Sequence, residues 1–311
     1  MSEIVNIEHL VKRFKELTAL DDFNLKINKG ERLALLGPNG SGKTTAINCM
    51  LGLLKIDHGK IELFGEQMSP SKLDIKAKIG LVPQEPTVFN ELNVYENIDY
   101  FCGLYEQNSI KRKELVNEAI KFVHLEDYKK FRPKKLSGGL LRRLNIACGM
   151  AHKPEFLILD EPTVAVDAQT RKFMLDEIKK LGENGTTILY TTHYLEEVEE
   201  VAETIVIIEK GQAIAKGTSD ELKSMISTTE KIVINLDDEG DRLNELKKLP
   251  NIYSIDFNAG SYHLAFNKGH DNIHTLINYL SDNDLSFSSI YSERPSLNDV
   301  FLELTGKDLR E

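Results

Sequence analysis

Apolar residues recur along the chain in short runs: EIVNIEHL, FNLKINKG, LALLG, KIELFG, IGLVPQ, FLILDEP and TTILYTTH. Runs of this length bounded by Gly, Pro or polar clusters predict strands. Between several of them lie stretches with helical spacing, such as KTTAINCMLGLL and AQTRKFMLDEIKKL, so the predicted class is α/β with a largely parallel sheet. LALLG and FLILD are apolar throughout and suit central strands covered on both faces, whereas the alternating early runs suit an antiparallel flank.

Residues 92–155 read as mostly helical, through NVYENIDYFCGLYEQ, IKRKELVNEAIKFVHL and the stretch after LSGG. A helical subdomain at about residues 85–155, inserted into the sheet domain, is the simplest organisation. IVIIEKGQAIAKG predicts a hairpin. Near residue 216 the pattern changes, and a polar stretch through Thr228 and Thr229 is expected to separate a first domain, 1–225, from a second, 230–311. That tail runs strand, helix, strand, strand, helix, strand (KIVINL, RLNELKKL, IYSIDF, SYHLAF, NIHTLINYL, LSFSSIY), which is the split βαβ order of a small α+β domain.

The composition suits two soluble domains: 311 residues, 41% hydrophobic and 28% charged. No stretch approaches the ~18 consecutive apolar residues of a spanning helix, and MSEIVNIEHL lacks a signal-peptide pattern, so a cytosolic chain is expected. Asp plus Glu outnumber Lys plus Arg, 49 to 39, which disfavours polyanions, and no nucleic-acid partner is expected. Cys49, Cys102 and Cys148 have no metal-ligand spacing and read as reduced thiols.

GPNGSGKT, Gly37 to Thr44, satisfies the phosphate-loop pattern G-x-x-x-x-G-K-[ST] between the run LALL and a helix. Gly40 and Gly42 let backbone N–H groups wrap a β-phosphate, Lys43 reaches the β and γ oxygens, and Thr44 offers its hydroxyl to Mg2+. FLILDEP ends a buried strand in two carboxylates. That is costly unless a cation or strong donor meets them, so Asp160 is expected to face the Mg2+ shell. Glu161 is then placed to orient or deprotonate the attacking water. Gln84 and His193 stand at the ends of two further runs. In open α/β sheets the ligand crevice lies outside the carboxyl ends of the strands, so Lys43, Gln84, Asp160, Glu161 and His193 are all expected at one edge. LSGG, which precedes a helix, has the form of another phosphate cradle, yet no lysine or hydroxyl follows to complete it.

The order GPNGSGKTT, Gln84, LSGG, FLILDEP, Asp167, His193 resembles the ATP-binding subunits of ABC transporters over roughly residues 3–216. The resemblance implies a P-loop NTPase domain of the ABC type, with ATP and Mg2+ as its cofactors. It implies that Phe14 stacks on the adenine and that Gly37, Pro38, Asn39, Gly40, Ser41, Gly42, Lys43, Thr44 and Thr45 form the Walker A loop. Gln84 becomes the residue that touches Mg2+ and senses a membrane partner, and Asp160 the Walker B aspartate that binds the metal with Thr44. Glu161 becomes the catalytic base, Asp167 the aspartate at the subunit contact and His193 the switch histidine, with Lys43 completing the catalytic set. Two such domains pair head to tail, so Ser137, Gly138 and Gly139 of one chain close over the γ-phosphate held by Lys43 of a second copy or a homologue. The implied partner is a separate membrane permease, which would hold the chain at the inner face of the cell membrane.

The chain departs from the family pattern at three places. Leu140 in LSGGL replaces a glutamine, Ala165 and Val166 stand where glycine and leucine are frequent, and Phe14 stands for tyrosine but keeps a stacking face. PSLNDVFLELTGKDLR resembles the end of the subfamily that drives ABC-2 type exporters, including drug-resistance and lipid or polysaccharide export systems. The module before it is then an accessory domain, regulatory or dimer-stabilising, or a passive extension. Two competing readings are a soluble ABC-type ATPase acting on DNA or ribosomes and a nucleotide-gated regulatory module. The single cassette, without coiled-coil heptads in residues 45–135, weighs against the first. KKFRPKK and LEEVEEVAE read as solvated charged faces.

Overall fold

The strand Phe156–Asp160 is buried at every residue because its alternate side chains serve two cores. Phe156 and Ile158 enter one, Leu157 and Leu159 the other. In the computed structural model, which describes residues 2–226, 228–237, 242–267, 271–293 and 295–306, this strand lies inside a six-stranded sheet. The strand order is Gln212–Gly217, Thr204–Glu209, Arg32–Leu36, Thr187–Thr192, Phe156–Asp160, Ile79–Val82. All neighbours pair in parallel except the edge hairpin formed by Thr204–Glu209 and Gln212–Gly217. The register sets Leu36 against Thr192 and Asp160 against Thr191, so the loops after these strands leave the sheet at one level.

A separate four-stranded antiparallel sheet (Leu17–Asn28, Glu3–Phe14, His58–Leu63, Glu66–Gln67) forms the flank. Its residues Val5, Ile7, Phe23 and Leu25 share a core with the helix Lys43–Met50 and with Phe156 and Ile158. That helix is shorter than its apolar pattern, and Gly52 at φ +66° turns the chain away. On the other face, the helices Val94–Gly103, Ser109–Phe122, Gly138–Met150 and Ala168–Glu183 pack on Val82, Leu157, Leu159 and Tyr190. The helical stretch therefore shares one core with the sheet. Cys49, Cys102 and Cys148 are buried free thiols, and burial pushes the first two up to about 11 and the third higher still.

The chain divides into two compact units, one through Thr218 and one from Ser219. Thr228 and Thr229 do not form a linker: their backbone opens the strand Thr228–Leu236, because ladder hydrogen bonds satisfy a polar residue's backbone as well as an apolar one's. The second unit's sheet runs Ile252–Asn258, Ser261–Asn267, Thr228–Leu236, Phe287–Glu293, antiparallel throughout, in the split βαβ order. Ile232, Ile234, Leu264 and Phe266 pack there with Leu246, Leu276 and Leu280. RLNELKKL yields one helical turn, Leu243–Leu246. The helix Leu297–Thr305 begins with a Ser296–Asp299 capping box and stops at Gly306, φ +71°. Residues 307–310 of PSLNDVFLELTGKDLR lie outside the described residues. Among the described residues, no helix is long and apolar enough to cross a membrane.

Candidate active site

The turn from Gly37 to Gly42 joins the strand Arg32–Leu36 to the helix Lys43–Met50. At Gly42, φ is +109° and an added Cβ would fall 2.6 Å from the Ala19 carbonyl oxygen, so conformation and close approach both require glycine. Among the described residues no side chain caps the helix, which leaves its first N–H groups to an anion. Ser41 Oγ is buried inside the turn without a hydrogen-bond partner among the described residues. Asn39, Gly40 and Thr44 are exposed, while Pro38 and Thr45 are half-buried.

Lys43, only 5% exposed, donates to the Gly37 and Pro38 carbonyls at 2.8 and 3.0 Å and faces Glu161 Oε1 at 3.2 Å. Burial draws the ammonium below its usual range, while Glu161 and then Asp160 pull it back up. Asp160 is met by two hydroxyl donors: Thr191 at 2.6 Å and Thr44 at 2.9 Å. Glu161 has φ +45°, a left-handed conformation rare for a side chain of its kind, and its N–H donates to Thr191 Oγ1 at 2.9 Å. Its Oε2 accepts from Gln84 Nε2 at 3.1 Å and lies 3.5 Å from His193 Nδ1, which has no hydrogen-bond partner among the described residues. Lys43, Gln84, Asp160, Glu161 and His193 thus converge at the carboxyl edge of the sheet.

The candidate ligands here are hard oxygens, the Thr44 hydroxyl and the Asp160 carboxylate, with the Gln84 amide on the neighbouring Glu161. Among the described residues, no group of three or more His, Cys, Asp or Glu could hold a metal alone. That set fits Mg2+, which is usually bound through one or two carboxylates together with substrate phosphates.

Residues 20–164 match the ABC transporter family, and residues 217–305 match the C-terminal domain of DrrA1-3-like ATP-binding proteins. The linearmycin resistance ATP-binding protein LnrL of Bacillus subtilis (strain 168) is 32% identical over 99% of this chain and 100% of its own length. The chain belongs to the ABC transporter family. The Nod factor export ATP-binding protein I of Burkholderia lata is 32% identical over 99% of this chain and 98% of its own. A solved dimeric, post-hydrolysis ATP-binding cassette bound to ADP and Pi has a TM-score of 0.63 at 27% identity, over 69% of this chain and 98% of that one. The protein is an ABC-type ATPase, and its nucleotide is ATP.

Other motif residues of the cassette lie apart from the cluster. Ser137 is exposed and caps the helix Gly138–Met150, accepting from Leu140 N–H at 3.3 Å. Gly138 is exposed, while a Cβ on Gly139 would come within 3.0 Å of the Thr170 side chain. Asp167 caps the helix Ala168–Glu183 and is exposed; the hydrogen bond from Thr170 N–H holds its carboxyl below the usual range. Phe14 ends the strand Glu3–Phe14, 43% exposed, with Lys12 Nζ 4.9 Å from its ring centre.

Sequence reasoning missed three residues that shape this cassette. Thr191 bonds both Asp160 and the Glu161 backbone, and its signal is a hydroxyl near the carboxyl end of the buried strand Thr187–Thr192. Arg142, in the helix that Ser137 caps, donates to the Gln84 carbonyl. Glu197, assigned to a solvated face, is buried, and its signal is its place four residues before Val201 on the apolar side of the helix. The assignment of KKFRPKK stands differently: Lys130, Arg132, Lys134 and Lys135 are exposed.

Proposed function

We propose that the chain is the ATP-hydrolysing subunit of an ABC-type exporter. In this reading Mg-ATP binding, head-to-tail pairing with a second ATP-binding subunit and hydrolysis drive a separate membrane permease. The observation that carries it is the linked cluster of Lys43, Gln84, Glu161 and His193 beside the Asp160–Thr44 pair.

The chemistry follows from positioning and charge. On binding ATP, Lys43 turns from the Gly37 and Pro38 carbonyls and Glu161 toward the β and γ oxygens. Glu161, released, takes a proton from the attacking water, and the unpartnered His193 Nδ1 faces the γ-phosphate. Thr44, Asp160 and Gln84 are the residues that would hold Mg2+, which when bound offsets charge developing on the phosphate oxygens. Ser137, Gly138 and Gly139 serve the partner subunit's nucleotide, and the exposure of Ser137 and Gly138 supports this. Asp167, also exposed, stands at the subunit contact, and Phe14 lies open to stack on the adenine.

Two further features support a transport role. The relatives are named as resistance and Nod factor export ATP-binding proteins, and the C-terminal match is to a DrrA1-3-like domain. Beside Pro83 and Thr87, which bracket Gln84, opens a groove of about 520 Å3 lined by Leu53, Leu81, Phe101, Leu104, Tyr105 and His152. Leu53, Leu104 and Tyr105 are exposed, an apolar rim that suits a protein partner.

Subunit mixing tests the shared site. Lys43→Met removes the phosphate lysine and Ser137→Arg blocks the signature turn, so each variant alone is inactive. Mixed, they form one intact composite site, and Mg2+-dependent phosphate release should return to about a quarter of the parent rate, because about half of random pairs are mixed and each of these keeps one of its two sites. Absence of any recovery, with both variants folded, rejects the head-to-tail site.

A further inference from the structure

Glu197 stands on the helix Leu195–Val201 with a side chain only 1% exposed. Its carboxylate accepts hydrogen bonds from the hydroxyls of Thr163 at 2.6 Å and of Tyr190 and Thr192 at 2.8 Å each, and Arg171 Nε lies 3.5 Å away. A buried carboxylate is costly unless its oxygens are met, and these donors meet both.

The donors come from the segments that carry the chemistry. Thr163 follows Glu161 by two residues. Thr192 precedes His193 and also accepts the Tyr194 N–H at 2.9 Å, so His193 sits within a closed turn whose hydroxyl is anchored on Glu197. Arg171 belongs to the helix that Asp167 caps, and its guanidinium lies 4.9 Å from the Tyr194 ring centre. The Tyr194 ring is in turn 4.1 Å from that of His193.

Resting on the reading of Glu161 as base and His193 as γ-phosphate partner, we propose that Glu197 is a positioning residue for hydrolysis. It holds the turn after Glu161, the turn around His193 and the helix led by Asp167 in one frame. Glu197 touches no reacting atom. Its effect runs through the 3.5 Å separation of Glu161 Oε2 and His193 Nδ1 and through the left-handed backbone of Glu161, a conformation that persists only where the surroundings over-determine it. Because the Asp167 helix is part of the frame, closure against a second subunit at Asp167 reaches His193 through Arg171.

The test uses the full chain, with melting temperature, Mg-ATP affinity and steady-state turnover measured together. Glu197→Ala should lower kcat about tenfold to a hundredfold, as an ångström-scale misplacement does. ATP affinity should stay within about threefold, since the Walker A loop is untouched. Glu197→Gln keeps the shape and one acceptor oxygen and should recover most of the rate. In a Glu161→Gln background, adding Glu197→Ala should cost several-fold less than it does in the parent, because one of the two groups it positions is already gone. Thr192→Val, which removes one anchored hydroxyl and leaves the helix intact, should show the same kcat-selective loss even if Glu197→Ala does not fold. A folded Glu197→Ala with the parent's kcat, equal losses of kcat and affinity, or a full additional loss in the Glu161→Gln background each overturns the proposal. Parent-like turnover by Glu161→Gln alone instead overturns the assignment of the base.

Discussion

Glu161→Gln separates two jobs that the geometry gives to one carboxylate. Glu161 is the proposed base, but it also faces Lys43 Nζ at 3.2 Å while the same ammonium is held by the Gly37 and Pro38 carbonyls. Binding a phosphate at Lys43 must break that ion pair. At 3.2 Å and an effective dielectric of about 20, the gross attraction is roughly 5 kcal/mol. Most of it is offset because a buried pair gives up its hydration, and about 1–2 kcal/mol is left as a net restraint. The amide removes the restraint and keeps the backbone N–H bond to Thr191. Mg-ATP should therefore bind roughly five- to thirtyfold more tightly. Turnover should fall by about 10²–10⁴, the usual worth of a positioned general base. Titration with a fluorescent ATP analogue measures the first effect and single-turnover phosphate release the second, with size-exclusion chromatography in ATP showing a trapped dimer. Unchanged or weaker ATP binding would refute the restraint, and parent-like turnover would refute the base.

Two further outcomes follow from backbone and burial. Ala165 is exposed at φ +61°, so Ala165→Gly removes a left-handed penalty of about 1–2 kcal/mol and adds about 0.5–1 kcal/mol of chain entropy. The net gain of about 0.5–1 kcal/mol should raise the melting temperature by roughly 1–3 °C, and a lower denaturant midpoint would contradict it. Lys43 is the second case: burial lowers its pKa from the ordinary 10.5, so between the folded value and 10.5 the unfolded chain binds more protons. The cost of the buried ammonium is full below that window and fades as pH rises through it. In urea unfolding from pH 7 to pH 10, stability should shift in the parent's favour relative to Lys43→Met. The reverse slope would show that Glu161 and Asp160 outweigh burial.

Much of this protein was legible in one dimension. A strand buried on both faces must be apolar throughout, so FLILD announced its central place, and its alternate residues do enter two cores. The glycine turn proposed as the phosphate loop was legible because Gly42 must adopt a positive φ and admit the Ala19 carbonyl, demands that only glycine meets. The convergence of Gln84, Asp160, Glu161 and His193 followed from the rule that parallel strands end at one edge. The strand at Thr228 and Thr229 was misread, since side-chain polarity carries little information about a backbone paired to its neighbour.

The amino-acid sequence by itself determined most of the strands and helices, though not all of their ends, and which residues reach the carboxyl edge, because those follow from local periodicity, turn chemistry and strand direction. Only the tertiary structure decided who meets whom there. Asp160 finds Thr191 because two strands align in parallel register. Lys43 lies against Glu161 from far along the chain, and Glu197 is drawn from an acidic run into the centre of three hydroxyls once its helix packs back on the strand before it and on the Thr163 turn. The charge of a carboxylate is written in the sequence, whereas the donor that makes its burial tolerable is supplied by a neighbour that exists only once the sheet is assembled.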